Sequence, residues 1–525
     1  MHVLGVVCCI QLAHAAAVDP QQQSITLSLA TEPPSLDSML ATDQISSFLL
    51  SHLMEGLVQY DEQGNLAPAI ATHWQIREDG ATFWLRDNAR WSDGRAVRAQ
   101  NFVYAWRRAL SPEAASQYAF ILFPVKNAEA INRGELPSQE LGVKAVGDYR
   151  LEVQFERPCP YFDKLTAFMT YYPARQDVVE RWGRAFAADV DKMVFNGPFT
   201  LAKWVHGAHL RLDKNLRYWN EKAIRLQEIN MPYITSDPTA QYNLYKDNRI
   251  ALAALDAATL SDAVSRGYEA RLFDFGTLFF LEFNHRPERA THNLALRRAI
   301  QAVLEPSLLV YKVLGLPGIK PAYSLFPSGM RADGAKFSER YPAPVVAYDL
   351  DKARAYLAQA RRELGEIKSL TLLVGDSARA VNEAEYYQYV LKQALGLDTR
   401  LDQQTFKQRI AKMRRGEFDI AAAGWGPDFD DPITFGDLFA SWNDNNRGRF
   451  ESQRYDDWVA KAQSSTDIAT RLQAFDHLQR IISEQVVIIP TYENVGLYTQ
   501  HPQLKGVRRS LFGGDPNFRY AWIAP

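Results

Sequence analysis

The stretch "AAAGWGPDFDDP", residues 421–432, decides how this chain is read. An apolar run ends in a Gly-Trp-Gly-Pro turn, and Asp428, Asp430 and Asp431 follow with no histidine or cysteine beside them. The stretch lacks the spread of oxygen ligands and the glycine turn of a calcium loop. Asp430 and Asp431, just before Pro432, have the pattern of turn and cap residues opening a helix at "ITFGDLFASW". Asp428 stands directly after a strand end, which is where ligands meet an α/β sheet. On the residues alone, it is either a turn residue or a ligand contact.

The flanking segments give that turn a context. "LTLLVG" and "FDIAAAGW" read as buried strands separated by the helical "AEYYQYVLKQALG". This β-α-β rhythm predicts a partly parallel sheet around residues 370–425. Nearer the start, "WQIREDGATFWLR" places Asp79-Gly80 between two alternating segments, a hairpin signal. "YRLEVQF" is another strand, halted by the prolines of "RPCP". "GPFTLAKW" and "AHLRLDKN" flank His206-Gly207 as two antiparallel strands. Helical spacing marks residues 99–110, 293–304 and 349–364. Helices and strands alternate without repeats or a low-complexity linker, so interwoven lobes are expected.

A chain of 525 residues exceeds one compact core and predicts at least two lobes. With 47% apolar and 23% charged residues and a net charge of −2, it has no basic footprint for nucleic acid or anionic lipid. The opening "MHVLGVVCCIQLAHAAAVDP" joins a short apolar stretch to an A-x-A signal, which predicts a signal peptide over residues 1–17 and export. The Lys or Arg that normally precedes such a stretch is missing. Removal of the segment leaves Cys159 as the one cysteine, so no internal disulfide can form. No later stretch approaches 18 consecutive apolar residues.

The motif templates for acyl transfer, phosphate loops and zinc proteases are absent. His206 and His209 read as surface residues of a hairpin with no third ligand nearby. The 61 acidic residues make any one carboxylate pair uninformative. No catalytic residue, metal site or cofactor is therefore assigned.

Six motifs, in order along the chain, resemble one family. They are "TEPPSLDSM", "LMEGLVQYDEQGNLAPAIATHW", "DGATFWLRDNARWSDGRAVRAQNFVYAWRR", "NGPFTLAKWVHGAHLRLDKNLRYWN", "YDLDKARAYLAQA" and "GWGPDFDDP". The chain resembles the extracytoplasmic oligopeptide-binding components of bacterial ABC importers, solute-binding protein family 5. The resemblance implies an α/β, two-lobe periplasmic-binding-protein fold (type II, cluster C) with an additional domain inserted in the first lobe. It gives lobe I residues 18–54, 178–276 and 496–525, the inserted domain residues 55–177 and lobe II residues 277–495. It also implies hinge closure on a short peptide held by main-chain pairing, and delivery to an inner-membrane ABC permease by a periplasmic monomer.

Carried over by position, Asp428 is expected to meet the ligand's α-ammonium. Gly424, Trp425 and Gly426 line the site beside it, Tyr118 faces the ligand from the inserted domain, and Thr42, Asp43 and Gln44 offer main-chain pairing. Phe406 lines a pocket and Asn445 adds a polar contact. The chain also departs from better-known members. Gly426 stands where some carry a cysteine, and Ala422, Met413 and Ala380 stand where they have bases for ligand carboxylates. Arg379, Arg414 and Arg415 are neighbours that could substitute, against the expectation that the ligand's C-terminus is left to solvent. Two alternative readings are the same fold holding a non-peptide solute (a peptide-like metabolite, a sugar or a metal chelate) and a secreted hydrolase.

Overall fold

The computed structural model describes residues 16–61, 64–332, 334–512 and 514–525. The expected signal peptide lies, apart from Ala16 and Ala17, outside the described residues. Ala17 is fully buried; its N–H donates to Asn248 and its carbonyl accepts from Thr26, both at 2.9 Å.

A five-stranded sheet has the order Val18–Asp19, Ser24–Leu29, Glu228–Ile234, His209–Lys214, Phe199–Val205. Ser24–Leu29 runs parallel to Glu228–Ile234, and the other pairs are antiparallel. A second, four-stranded antiparallel sheet of Ala71–Arg77, Gly80–Leu85, Arg150–Gln154 and Val143–Ala145 falls in sequence between the strands of the first. It is thus an insertion. The hairpin turn here is Glu78-Asp79 rather than Asp79-Gly80, because Arg77 pairs with Gly80 and Gly80 continues the strand opposite Gln154.

The largest sheet has the order Leu252–Leu255, Ile488–Gln500, Arg271–Phe283, Ile420–Trp425, Leu370–Gly375, Thr399–Gln404. Its last three strands are parallel to one another. Apolar runs such as "LTLLVG" fit because both faces are covered. Leu372, Ile420 and Leu281 pack with the helices Leu294–Gln301, Leu350–Leu364 and Ala378–Leu395. Leu373, Ala421 and Phe280 face the helices Gln453–Ser464 and Ile468–Glu484. Helix starts follow the sequence: Asp349, Ser377 and Thr405 each accept an N–H of the first turn, and Thr405 forms a capping box with Gln408.

Two thirteen-residue strands, Arg271–Phe283 and Ile488–Gln500, run the length of this sheet. They pair with each other along their length, Leu252–Leu255 adds to the outer end of Ile488–Gln500, and Ile420–Trp425 adds to the inner half of Arg271–Phe283. The expected lobe boundaries at 276 and 495 fall within them. The ladder slips between Asp274 and Thr277, where Gly276 has φ +60°. An added Cβ there would lie 3.2 Å from Leu511 and 3.4 Å from Pro427. A side chain at that kink would be strained by its backbone as well as crowded.

Candidate functional site

The site forms where Ile420–Trp425 leaves its parallel neighbour. Leu370–Gly375 pairs with it only at Ile420 and Ala421, whereas Arg271–Phe283 pairs with all six residues. From Ala422 to Trp425, the side away from Arg271–Phe283 is therefore a free strand edge among the described residues. Arg409, from the helix Phe406–Arg415, donates through Nη1 to the Ala422 carbonyl on that side. Since backbone groups point the same way at every second residue, the exposed Gly424 turns its N–H and C=O toward the same edge. A Cβ on Gly424 would sit 3.1 Å from the Phe279 ring and 3.2 Å from the Leu278 carbonyl, so only glycine fits without displacement.

Beyond this edge the turn at Gly426-Pro427 delivers Asp428. Its N–H donates to Thr434 Oγ1 at 3.1 Å, and its Oδ1 accepts from the Tyr118 hydroxyl of the inserted domain at 3.2 Å. No cation lies within ion-pair distance of this carboxylate among the described residues. Asp428 is partly accessible, yet it lies deep between the lobes, and burial pushes its pKa from 3.8 up to about 7 against the opposing Tyr118 hydrogen bond. Asp437 is also pushed up to about 7, by burial and by the nearby Asp428 charge, with Gln463 Nε2 donating to it at 3.3 Å.

The neighbouring aspartates are not simple turn residues. Asp431 is buried and receives Arg471 Nη1 at 3.0 Å and Nη2 at 2.7 Å, while its Oδ1 also caps Ile433. The helix it opens is only Ile433–Gly436. Asp430 reaches across the cleft: its N–H donates to the Tyr60 hydroxyl at 3.2 Å, and Lys164 Nζ donates to its carbonyl and lies 3.6 Å from its carboxylate. Arg157 on Gln463 at 2.6 Å, Arg414 on Gln117, and the stacked Tyr161 and Phe429 rings continue this seam.

The remaining expected residues fall at different distances from this centre. Trp425 is half-buried, and its Nε1 has no partner among the described residues. Gly426 has Thr277 Oγ1 3.3 Å from the position of a Cβ. Phe406 is 62% exposed at the start of its helix, with the Arg409 guanidinium 5.6 Å from its ring centroid. Asn445 Oδ1 accepts from Arg447 Nη2 at 2.8 Å. Thr42 is exposed and non-helical, Asp43 is extended and caps the helix Gln44–Leu53 through Ser46, with its carbonyl accepting from Ser47, and Gln44 is the first residue of that helix. Ser116 Oγ donates to the Met39 carbonyl at 2.6 Å, tying that segment to the one bearing Tyr118.

Among the three arginines raised as substitutes, Arg415 pairs with Glu417 at the surface and Arg414 spans to Gln117. Arg379 pairs with Glu383 at 3.1 Å over the Tyr492 ring. Met413 is fully buried, so its position faces the core. The sequence reading missed Arg409, Arg447 and Asp437. The regular spacing of "KQRIAKMRRGEF" shows a helix but not which arginine turns toward the sheet, and Asp437 is hidden within an apolar run. Cys159 is buried and free, and burial raises its thiol pKa far above the ordinary value.

Two lobes joined by paired continuous strands, with a free strand edge and a partly accessible carboxylate at their seam, define a protein that closes on a ligand. The family model for bacterial extracellular solute-binding proteins, family 5, matches residues 65–447, and the chain belongs to that family. It is 31% identical over 476 residues to a dipeptide-binding protein of Lactococcus lactis subsp. cremoris, covering 87% of this chain and 86% of that one. The structure of Listeria monocytogenes OppA bound to peptide superposes with a TM-score of 0.87 at 29% identity, covering 96% of this chain and 99% of that one. One structure of the Escherichia coli murein tripeptide-binding protein MppA, 27% identical, gives 0.87 over 97% of this chain and all of that one. The unliganded open form of MppA gives 0.70 over 97% and 99%. The seam contacts described above accord with a closed arrangement. No helix among the described residues is long and apolar enough to cross a membrane.

Proposed function

We propose that this chain captures short peptides between its lobes in the periplasm and delivers them to an inner-membrane ABC permease. The observation that carries this reading is the free edge at Ala422–Trp425 leading into a carboxylate without a counter-cation. Every peptide offers the same N–H and C=O groups to such an edge, so pairing there is indifferent to sequence. Its α-ammonium supplies the charge that Asp428 lacks. Gly424 keeps the edge approachable, Trp425 and Phe406 provide apolar walls, and Tyr118 closes over the ammonium end from the inserted domain. The lobe boundaries at 54, 177, 276 and 495 and a monomeric state belong to the same proposal. The protein binds and releases without chemistry.

Mass spectrometry of material released from the denatured purified protein tests the ligand class, with short peptides as the expected content. A bound peptide at a hundredfold excess over Kd should stabilise the fold by about 2.7 kcal/mol and give a more compact particle in solution scattering. Release of a sugar, a chelate or another non-peptide solute, or catalytic cleavage of added peptides, would overturn the proposal.

A further inference from the structure

The helix Ala99–Ala109 buries one face and leaves another uncovered. Phe102, Ala105, Trp106 and Ala109 are fully buried in the core. A second stripe at helical spacing, Gln100, Val103, Tyr104 and Arg107, lines a groove of about 630 Å³ instead. The edge strand Val143–Ala145 of the inserted sheet lines it too, with Ser138, Gln139 and Gln176. Its volume falls within the roughly 300–1,000 Å³ of small-molecule sites. The groove shares no lining residue with the free edge at Ala422–Trp425 or with Asp428.

The charge of the groove is one-sided, for its lining includes Arg107, Arg108 and Lys144 but no acidic residue. Asp37 neutralises Arg108, accepting its two terminal nitrogens at 2.9 and 2.5 Å, and Glu152 lies 2.9 Å from Lys144. Arg107 has no carboxylate within ion-pair distance among the described residues. Its Nη2 donates to the Gln139 carbonyl at 3.2 Å, and its Nε is buried without an acceptor. Gln100 and Gln176 spend Nε2 on the Gly147 carbonyl at 3.2 Å and on Glu180 at 2.7 Å, which leaves their amide oxygens as acceptors.

We infer that this groove binds an acidic saccharide and that Arg107 receives its carboxylate. One unpaired guanidinium suits one carboxylate, because two parallel N–H groups match its two oxygens. Amide oxygens and the hydroxyls of Tyr104 and Ser138 suit ring hydroxyls, which both donate and accept. Val103 and Val143 offer apolar surface to the C–H faces of the rings. A polyphosphate would call for further unpaired cations, which the groove lacks, and a neutral sugar would leave the Arg107 charge unanswered. The inference stands apart from the peptide reading, since groove and cleft have no residue in common.

The test is calorimetric titration with di- and trigalacturonate, their methyl esters, cellobiose and triglutamate. The proteins are the wild type, Arg107→Gln, Arg107→Lys and the surface control Arg415→Gln. Wild type and Arg415→Gln should bind the galacturonates, and esterification, which removes the charge but keeps the rings, should weaken binding at least tenfold. Cellobiose should bind no better than the esters. Arg107→Gln should reduce the esterification effect to less than threefold. Arg107→Lys should retain part of it, and decides the matter if Arg107→Gln melts early. Bound peptide should leave galacturonate affinity unchanged. Failure of both galacturonates to bind, equal binding of acid and ester, or an esterification effect untouched in Arg107→Gln overturns the inference. So does displacement of galacturonate by peptide, which would put it in the cleft. Triglutamate binding as tightly as trigalacturonate, with the same loss in Arg107→Gln, would overturn the saccharide in favour of an acidic peptide.

Discussion

Replacing Asp428 by asparagine removes one charge while preserving shape. Asparagine Oδ1 can still accept from the Tyr118 hydroxyl, so the contact between lobes at 3.2 Å survives. The rise of the Asp428 pKa from 3.8 to about 7 corresponds to about 4 kcal/mol of opposition to its ionised form, at ~1.4 kcal/mol per pKa unit. That figure is a ceiling, because water in the cleft screens a partly accessible carboxylate. The raised folded-state pKa fixes the sign. Stability from the neutral carboxyl is full below the ordinary value and is lost as pH rises through about 7. Ligand-free Asp428→Asn should therefore outlast the wild type in thermal melts at pH 8, and the gain should vanish near pH 4. Peptide affinity should move oppositely. Removing one member of a desolvated charge pair costs about 2–5 kcal/mol, or roughly 30- to 5,000-fold in Kd. A double cycle with N-acetylated peptide should show the two losses overlapping rather than adding. Strict additivity, or a melting difference independent of pH, would refute the pairing of Asp428 with an ammonium.

Arg471→Met should destabilise the protein by about 3–5 kcal/mol in urea titrations, because it strands the buried Asp431 carboxylate, whereas the double change with Asp431→Leu should recover much of the loss. Cys159→Ser should leave peptide affinity within a few-fold, and the native thiol should resist labelling until the protein unfolds, since it is buried and its pKa is raised by that burial. Gly276→Ala should shift ligand-dependent compaction measured by scattering, because φ +60° at the ladder slip suits glycine and is strained for alanine.

Two strands of the large sheet, Leu370–Gly375 and Ile420–Trp425, were legible because each apolar run has two covered faces and alternate residues join separate cores. The hairpin around Glu78-Asp79 was legible in kind but off by a residue, since Asp79-Gly80 carries a turn signal while cross-strand register decides where pairing resumes. Asp428 stood out for its place after a strand and a Gly-Pro turn. Asp430 and Asp431 did not, because their partners Lys164, Tyr60 and Arg471 are distant in sequence and only folding brings them together. Thr42, Asp43 and Gln44 were carried over by position alone, and the helix start that Asp43 caps through Ser46 carries no local signal of ligand pairing. The direction in which Arg409 points is set by where Leu370–Gly375 and Ile420–Trp425 diverge, and no local pattern reports that divergence.

An unpaired strand edge is a liability in most proteins, because any other edge can add to it. Here the open run is only Ala422–Trp425, stopped by Pro427 after the turn and lying beside a seam crossed at Tyr118, Gln117 and Lys164. A sheet border on a folded protein is too broad to enter such a slot. A short, detached piece of backbone has no such obstacle. The fold thus acts as a sieve for what has already been cut free.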